Sequence, residues 1–151
     1  MAVKAHCYTR DTNNPALVLV HGLGSAGNIW KSLVPQLLEN FTVYAIDLPG
    51  HGDAPLNEDE KMDPHSLAQA TIDYMLTHVG VEKMHVAGNS LGGWIALEMA
   101  AVAPDNVLSV TALAPAGLWH ELPPRKFPPS LLARFLAKIS QYFMKTAYRI
   151  P

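Results

Sequence analysis

An α/β fold, with a predominantly parallel sheet and helices on both faces, is what this sequence predicts from three observations. Short apolar runs rich in Val, Leu, Ile and Ala recur at 16–20, 42–46, 84–87 and 107–114. The segments between them carry helical spacing or helix-end residues, and the first three runs lead into glycine-bearing turns. Strands that alternate with helices at this interval pair in parallel, joined by right-handed crossovers.

The elements follow in order. Ala5 to Thr9 offers a short first strand. Ala16 to Val20 is continuously apolar and ends at His21-Gly22, which reads as a strand buried on both faces. Ile29, Trp30, Leu33, Val34, Leu37 and Leu38 recur at helical spacing, predicting an amphipathic helix to about Asn40 that Pro35 must bend or delay. Thr42 to Ile46 is the next strand, and Asp47 to Asp53 is turn chemistry. The acidic stretch Glu58-Asp59-Glu60 reads as a solvated loop. Asp63-Pro64 is a helix start, with Asp as cap and Pro at the first position, and Gly80 suits a left-handed stop after Val79. Ile72, Met75, Leu76 and Val79 share one face of that helix. Met84 to Ala87 is a third core strand, Leu91 to Ala103 an Ala-rich helix closed by Pro104, and Val107 to Ala114 a fourth buried strand.

At 151 residues and 16.4 kDa, with 49% hydrophobic residues, the chain has the size of one ordinary domain. Its net charge of −2 argues against nucleic-acid binding, which requires a strongly basic surface. The charge is uneven: residues 1–116 hold 5 Lys/Arg against 12 Asp/Glu, and residues 117–151 hold 6 against 1. That shift sets a boundary near Gly117, dividing a core at 1–116 from a basic segment at 117–151. The segment has a Pro-rich stretch, Leu122 to Pro129, and then a helical pattern whose stripe is Leu131, Leu132, Phe135, Leu136, Ile139 and Phe143. A lone Cys7 and an N-terminus without a basic start and apolar stretch imply a cytoplasmic protein. No apolar run is long enough to span a membrane.

The chemistry concentrates at Gly88-Asn89-Ser90-Leu91-Gly92, a Gly-x-Ser-x-Gly between a predicted strand and a predicted helix. In that context the serine occupies a strained turn that lifts its Oγ clear of the sheet, while glycines at 88 and 92 leave room for neighbouring backbone. A helix start behind it favours developing negative charge, so the Leu91 amide is a candidate oxyanion donor. His21-Gly22-Leu23-Gly24, at the end of an earlier strand, supplies a second candidate, the Leu23 amide. His21 itself reads as a loop-shaping residue. A plain helix cap is the competing role for Ser90.

HGLG at 21–24, DLPGHG at 47–52 and GNSLGG at 88–93, in that order and spacing, resemble the α/β-hydrolase fold family over residues 6 to 151. The resemblance implies an oxyanion loop, a following turn and a nucleophile elbow respectively, with 117–151 as the start of a lid. It implies a serine hydrolase acting on a small-molecule acyl compound, most simply an ester, through a Ser90 acyl-enzyme. The family order is Ser, then Asp or Glu, then His. After Ser90 this chain offers only Glu98, Asp105 and Glu121 as acids and His120 as a base. Glu98 and Asp105 sit too far along the helix after the elbow, which leaves His120 as the one candidate base. A fragment of a protein about twice as long is the expectation that follows.

Two other readings compete. Gly22-Leu-Gly24-Ser-Ala-Gly27 fits the dinucleotide-binding Gly-x-Gly-x-x-Gly, with Asp47 near the place of a ribose ligand, which would make a nicotinamide- or flavin-dependent oxidoreductase. A half-sheet with an open edge and no triad would instead be a catalytically inactive interaction module prone to self-association. The basic helix at 130–149 also suits a membrane surface, although lid packing accounts for its stripe equally well. No organic cofactor is implied. No metal is implied either, since His6, His21, His51 and His85 fall on separate elements without ligand spacing.

Overall fold

The computed structural model describes residues 1–11, 13–56, 59 and 61–117, and within them five strands form a single sheet. They are β1 Lys4–Tyr8, β2 Ala16–Val20, β3 Thr42–Asp47, β4 Met84–Asn89 and β5 Val107–Leu113, in the spatial order β1-β3-β2-β4-β5. β2 to β5 pair in parallel, and β1 runs antiparallel to β3 with Lys4 opposite Asp47. The α/β architecture with a predominantly parallel sheet is the one the residue pattern predicts.

β2 lies at the centre, with β3 and β4 on either side, and all five of its residues are buried. Because side chains alternate along a strand, it feeds two cores. Val18 and Val20 join Ile46, Met84 and Val86 against two helices, α2 (Pro64–Tyr74) and α3 (Leu91–Val102). Leu17 and Leu19 join Val43 and Ala45 against Trp30 and Val34 on the opposite face. Each such side chain removed from water contributes roughly 1.5–3 kcal/mol, which is why apolar runs of five residues suffice to place the strands.

α2 starts where its cap places it: Asp63 accepts hydrogen bonds from the Ser66 amide at 3.1 Å and from its hydroxyl at 2.8 Å. The helix continues as a π-helical turn, Met75–Val79, and stops at Gly80 with φ 77°. Ile72 and Met75 are buried as the shared face requires, with Leu76 and Val79 partly buried beside them.

Two expectations are corrected. The helix from Ile29 to Asn40 does not form as one piece. A 3-10 helix, Gly27–Trp30, is followed by a turn at 31–33 and then by a short α1, Val34–Leu37. Pro35 is the cause. In a continuous helix it would lack its amide bond and clash with the preceding turn, whereas in the first turn of α1 no donor is required of it. Ile29 is consequently 61% exposed and Leu33 faces outward, while Trp30 and Val34 turn in. The second correction concerns β5, expected to be buried. It is one of the two edge strands among the described residues, with Leu108 and Leu113 exposed.

Glu58, Glu60, His120, Glu121, the Pro-rich stretch and the basic helix at 130–149 lie outside the described residues. No helix among the described residues is long and apolar enough to cross a membrane.

Candidate active site

Ser90 stands between the end of β4 and the first residue of α3, at φ 54° and ψ −115°. A side chain at positive φ costs on the order of 1–3 kcal/mol, so something must hold it there. The Ser90 amide donates to the Leu113 carbonyl at 2.9 Å, and the Ser90 carbonyl accepts from Ala116 at 2.9 Å and Trp94 at 3.2 Å. The flanking glycines close the turn by contact. A Cβ on Gly88 would lie 2.1 Å from the Gly92 carbonyl oxygen, and one on Gly92 would lie 2.2 Å from the Val20 carbonyl oxygen. Backbone here packs on backbone, as the motif demands. Ser90 makes no side-chain capping bond to α3, and among the described residues its Oγ has no hydrogen-bond partner. The capping role is therefore not the one it plays.

The loop after β2 comes to the same place. A Cβ on Gly22 would meet the Asn89 carbonyl oxygen at 3.3 Å and Ser90 Cβ at 3.4 Å, so these two turns touch. Leu23, half exposed, lines a cleft of about 500 Å³ together with Gly22, Ile29, Trp30, Ser90 and Leu113. The Leu23 amide has no acceptor among the described residues, and the Leu91 amide is in the first turn of α3, where helices leave N–H groups free. Gly24 is a different case from Gly88: open space surrounds it, but its φ of 73° would strain any residue with a side chain.

Behind the loop stand two buried polar side chains, His21, read from the sequence as loop-shaping, and Asp47, whose bracing role that reading missed. His21 is fully buried. Its Nδ1 is 2.7 Å from the Gly22 carbonyl oxygen, and its Nε2 accepts from the Leu48 amide at 3.2 Å. Burial, joined by the adjacent His51, outweighs the Gly22 carbonyl and Asp47 and holds its pKa below the ordinary histidine value. Asp47, also buried, accepts from the Gly27 amide at 2.6 Å, the Asp53 amide at 2.9 Å and His6 Nε2 at 2.8 Å. Burial alone would raise its pKa, but the Asp53 amide, His6 and the Gly27 amide together bring it below the ordinary carboxylate value. Gly52 is required here too, since its Cβ would lie 2.2 Å from Asp47 Oδ2. The glycines at 27 and 52 were the signal that something buried sits between those turns.

The donor atoms of His6, Asp47 and Asp53 gather within 4.8 Å, a set that could hold a metal. Asp47 already spends its oxygens on two amides and a histidine, which is a structural role for the carboxylate at the centre of the set. The dinucleotide geometry is not formed. Gly27 opens a single 3-10 turn, with no long helix whose N-terminus could take a pyrophosphate, and Asp47 is bound by the loops themselves.

Neither acid after Ser90 approaches it in the described chain. Glu98 binds Trp94 Nε1 at 3.1 Å and His65 at 3.3 Å, and Asp105 lies beyond α3, its carbonyl accepting from Lys83. The cleft lining contains no histidine, aspartate or glutamate. His120 falls outside the described residues.

Comparison with known proteins places this geometry. A family model described as the alpha/beta hydrolase fold matches residues 15–149. The dihydrolipoyllysine-residue acetyltransferase component of the acetoin cleaving system of Pseudomonas putida is 40% identical over 102 residues, covering 68% of this chain and 27% of that protein. A pimeloyl-[acyl-carrier protein] methyl ester esterase of Aeromonas hydrophila subsp. hydrophila is 31% identical over 143 residues, covering 93% and 54% respectively. Among solved structures, a membrane phospholipase A matches with a TM-score of 0.74 at 31% identity, covering 91% of this chain and 46% of that one. The chain thus spans between about a quarter and a half of the length of these relatives. With a family match across most of its length and a strained serine between obligatory glycines, the chain belongs to the α/β-hydrolase fold family.

Proposed function

We propose that this chain carries the nucleophile half of a serine hydrolase acting on an acyl compound, a carboxylic ester before others. The observation that carries the reading is Ser90 itself: a non-glycine residue at φ 54°, locked between Gly88 and Gly92, with its hydroxyl unengaged beside the Gly22-Leu23 turn. Ser90 Oγ attacks the substrate carbonyl carbon, its proton passes to a histidine base, and the carbonyl oxygen becomes an oxyanion that the Leu23 and Leu91 amides receive. Collapse expels the alcohol, which takes the proton from that histidine, and water then releases the acyl group by the same route. Exposed Leu23, Ile29 and Leu113 around the cleft suit an apolar acyl chain. The esterase among the relatives and the phospholipase among the structural neighbours point the same way.

The base and its acid come, in this reading, from outside the described residues, with His120 the nearest candidate in sequence and 117–151 the beginning of a lid. A catalytically inactive interaction module is the second reading, favoured by a cleft lining without a base and by the edge position of β5 among the described residues. Intact-mass analysis after fluorophosphonate exposure separates the two. One adduct on the wild type and none on Ser90→Ala is expected for the hydrolase. No adduct on a folded chain, together with concentration-dependent self-association, would favour the module.

A further inference from the structure

Both ends of the loop that faces Ser90 are tied to two consecutive residues at the end of β3. His21, where the loop begins, accepts the Leu48 amide on Nε2, and the Gly27 amide, where it ends, donates to Asp47 Oδ1. Between them, the Gly22 carbonyl oxygen is held twice, by His21 Nδ1 at 2.7 Å and by the Ser25 amide at 3.2 Å.

These partners fix the chemistry of the imidazole. A carbonyl oxygen only accepts and an amide N–H only donates, so the proton sits on Nδ1, Nε2 carries the lone pair, and the ring is neutral. The Gly22–Leu23 peptide is trans, since no cis bond occurs among the described residues. In a planar trans peptide the carbonyl and the next N–H point in opposite directions. Holding the Gly22 oxygen toward the buried ring therefore turns the Leu23 N–H the other way, out of the core, and that amide has no acceptor among the described residues.

We propose that His21 is a positioning residue for the oxyanion donor. Its Nδ1–H clamps the Gly22 carbonyl so that the Leu23 amide stays aimed at the cleft beside Ser90, and a flip of this one peptide would remove the donor without altering the fold. The inference rests on the reading of Ser90 as nucleophile and adds to it the residue that orients its partner.

The test compares two variants on the 151-residue chain. His21→Asn keeps a donor near the place of Nδ1 and loses the Leu48 acceptor, whereas His21→Gln keeps an acceptor near Nε2 and loses the clamp. The readout is the maximal rate of Ser90 labelling by a fluorophosphonate and the probe concentration giving half that rate. Loss of one oxyanion donor lowers such a rate by about 10²–10³. His21→Asn is expected within about threefold of wild type, and His21→Gln slower by about tenfold or more with an unchanged half-saturating concentration. Equal rates in the two variants, or a change confined to half-saturation, would overturn the proposal.

Should either variant fail to fold, nitrogen-15 NMR of the wild-type histidines decides the clamp directly. A neutral Nδ1–H tautomer at His21 is expected, and an Nε2–H tautomer overturns it. Wild type without label would mean that no base reaches Ser90 in this chain, and the tautomer would still report whether the clamp exists.

Discussion

The two turns that meet at Ser90 are built from different materials. The elbow at 88–92 is held by backbone alone, through glycine contacts on Gly92 and Val20 and main-chain hydrogen bonds that join Ser90 to Leu113, Trp94 and Ala116, with no titratable side chain in the joint. The loop at 21–27 is held by struts, two buried polar side chains that reach it from within the strand ends. One is a matter of space and main-chain bonding and holds nothing that titrates. The other is a matter of hydrogen bonds and protonation, and it inherits their sensitivity.

That contrast can be broken most severely at Gly92. Its Cβ would lie 2.2 Å from a buried carbonyl oxygen, so Gly92→Ala should cost more than about 3 kcal/mol in urea unfolding, by overpacking that no side chain can relieve. A loss below about 1 kcal/mol would mean that the elbow yields and is not held by contact. At the strutted loop the largest effect belongs to Asp47. Asp47→Ala leaves the buried Gly27 amide unpaired, while the exposed Asp53 can turn to water, so the expected loss is about 2 kcal/mol in the same measurement.

The smallest and most discriminating effect concerns pH. The His21 pKa lies below the ordinary value in the fold, so between the folded value and roughly 6.5 the unfolded chain binds the proton that the folded one refuses. Stability supplied by neutral His21 is present above that window and is lost as the pH falls through it. Unfolding midpoints measured from pH 8 to pH 5 should decline less in His21→Gln than in wild type, while the Gly92→Ala loss stays constant. Parallel profiles for wild type and His21→Gln would show that the ring is not held neutral.

Much of this was legible in the residues because the elbow writes its physics into spacing. Glycines at 88 and 92 around a serine, after an apolar run, state a close approach that the contacts then display. The struts leave a fainter trace. Asp47 and Gly27 are twenty residues apart and their bond exists only once β3 has paired with β2, so a local reading sees turn chemistry, or a sugar ligand, where there is a brace. Periodicity misled at 29–38, because Pro35 divides a pattern that hydrophobic spacing alone reads as one helix. Burial of β5 was inferred from apolarity, which cannot tell a central strand from an edge strand.

The unengaged hydroxyl of Ser90 has a consequence for how such a protein changes over generations. Its backbone is fixed by its neighbours, and among the described residues its side chain supports nothing, so the position is a socket whose occupant can be exchanged without disturbing the frame. Unbranched thiol or carboxylate side chains fit that socket, whereas a β-branched one meets the full penalty of positive φ. Side chain and architecture are separable here, and a lineage could replace the residue at 90 while keeping every glycine that presents it.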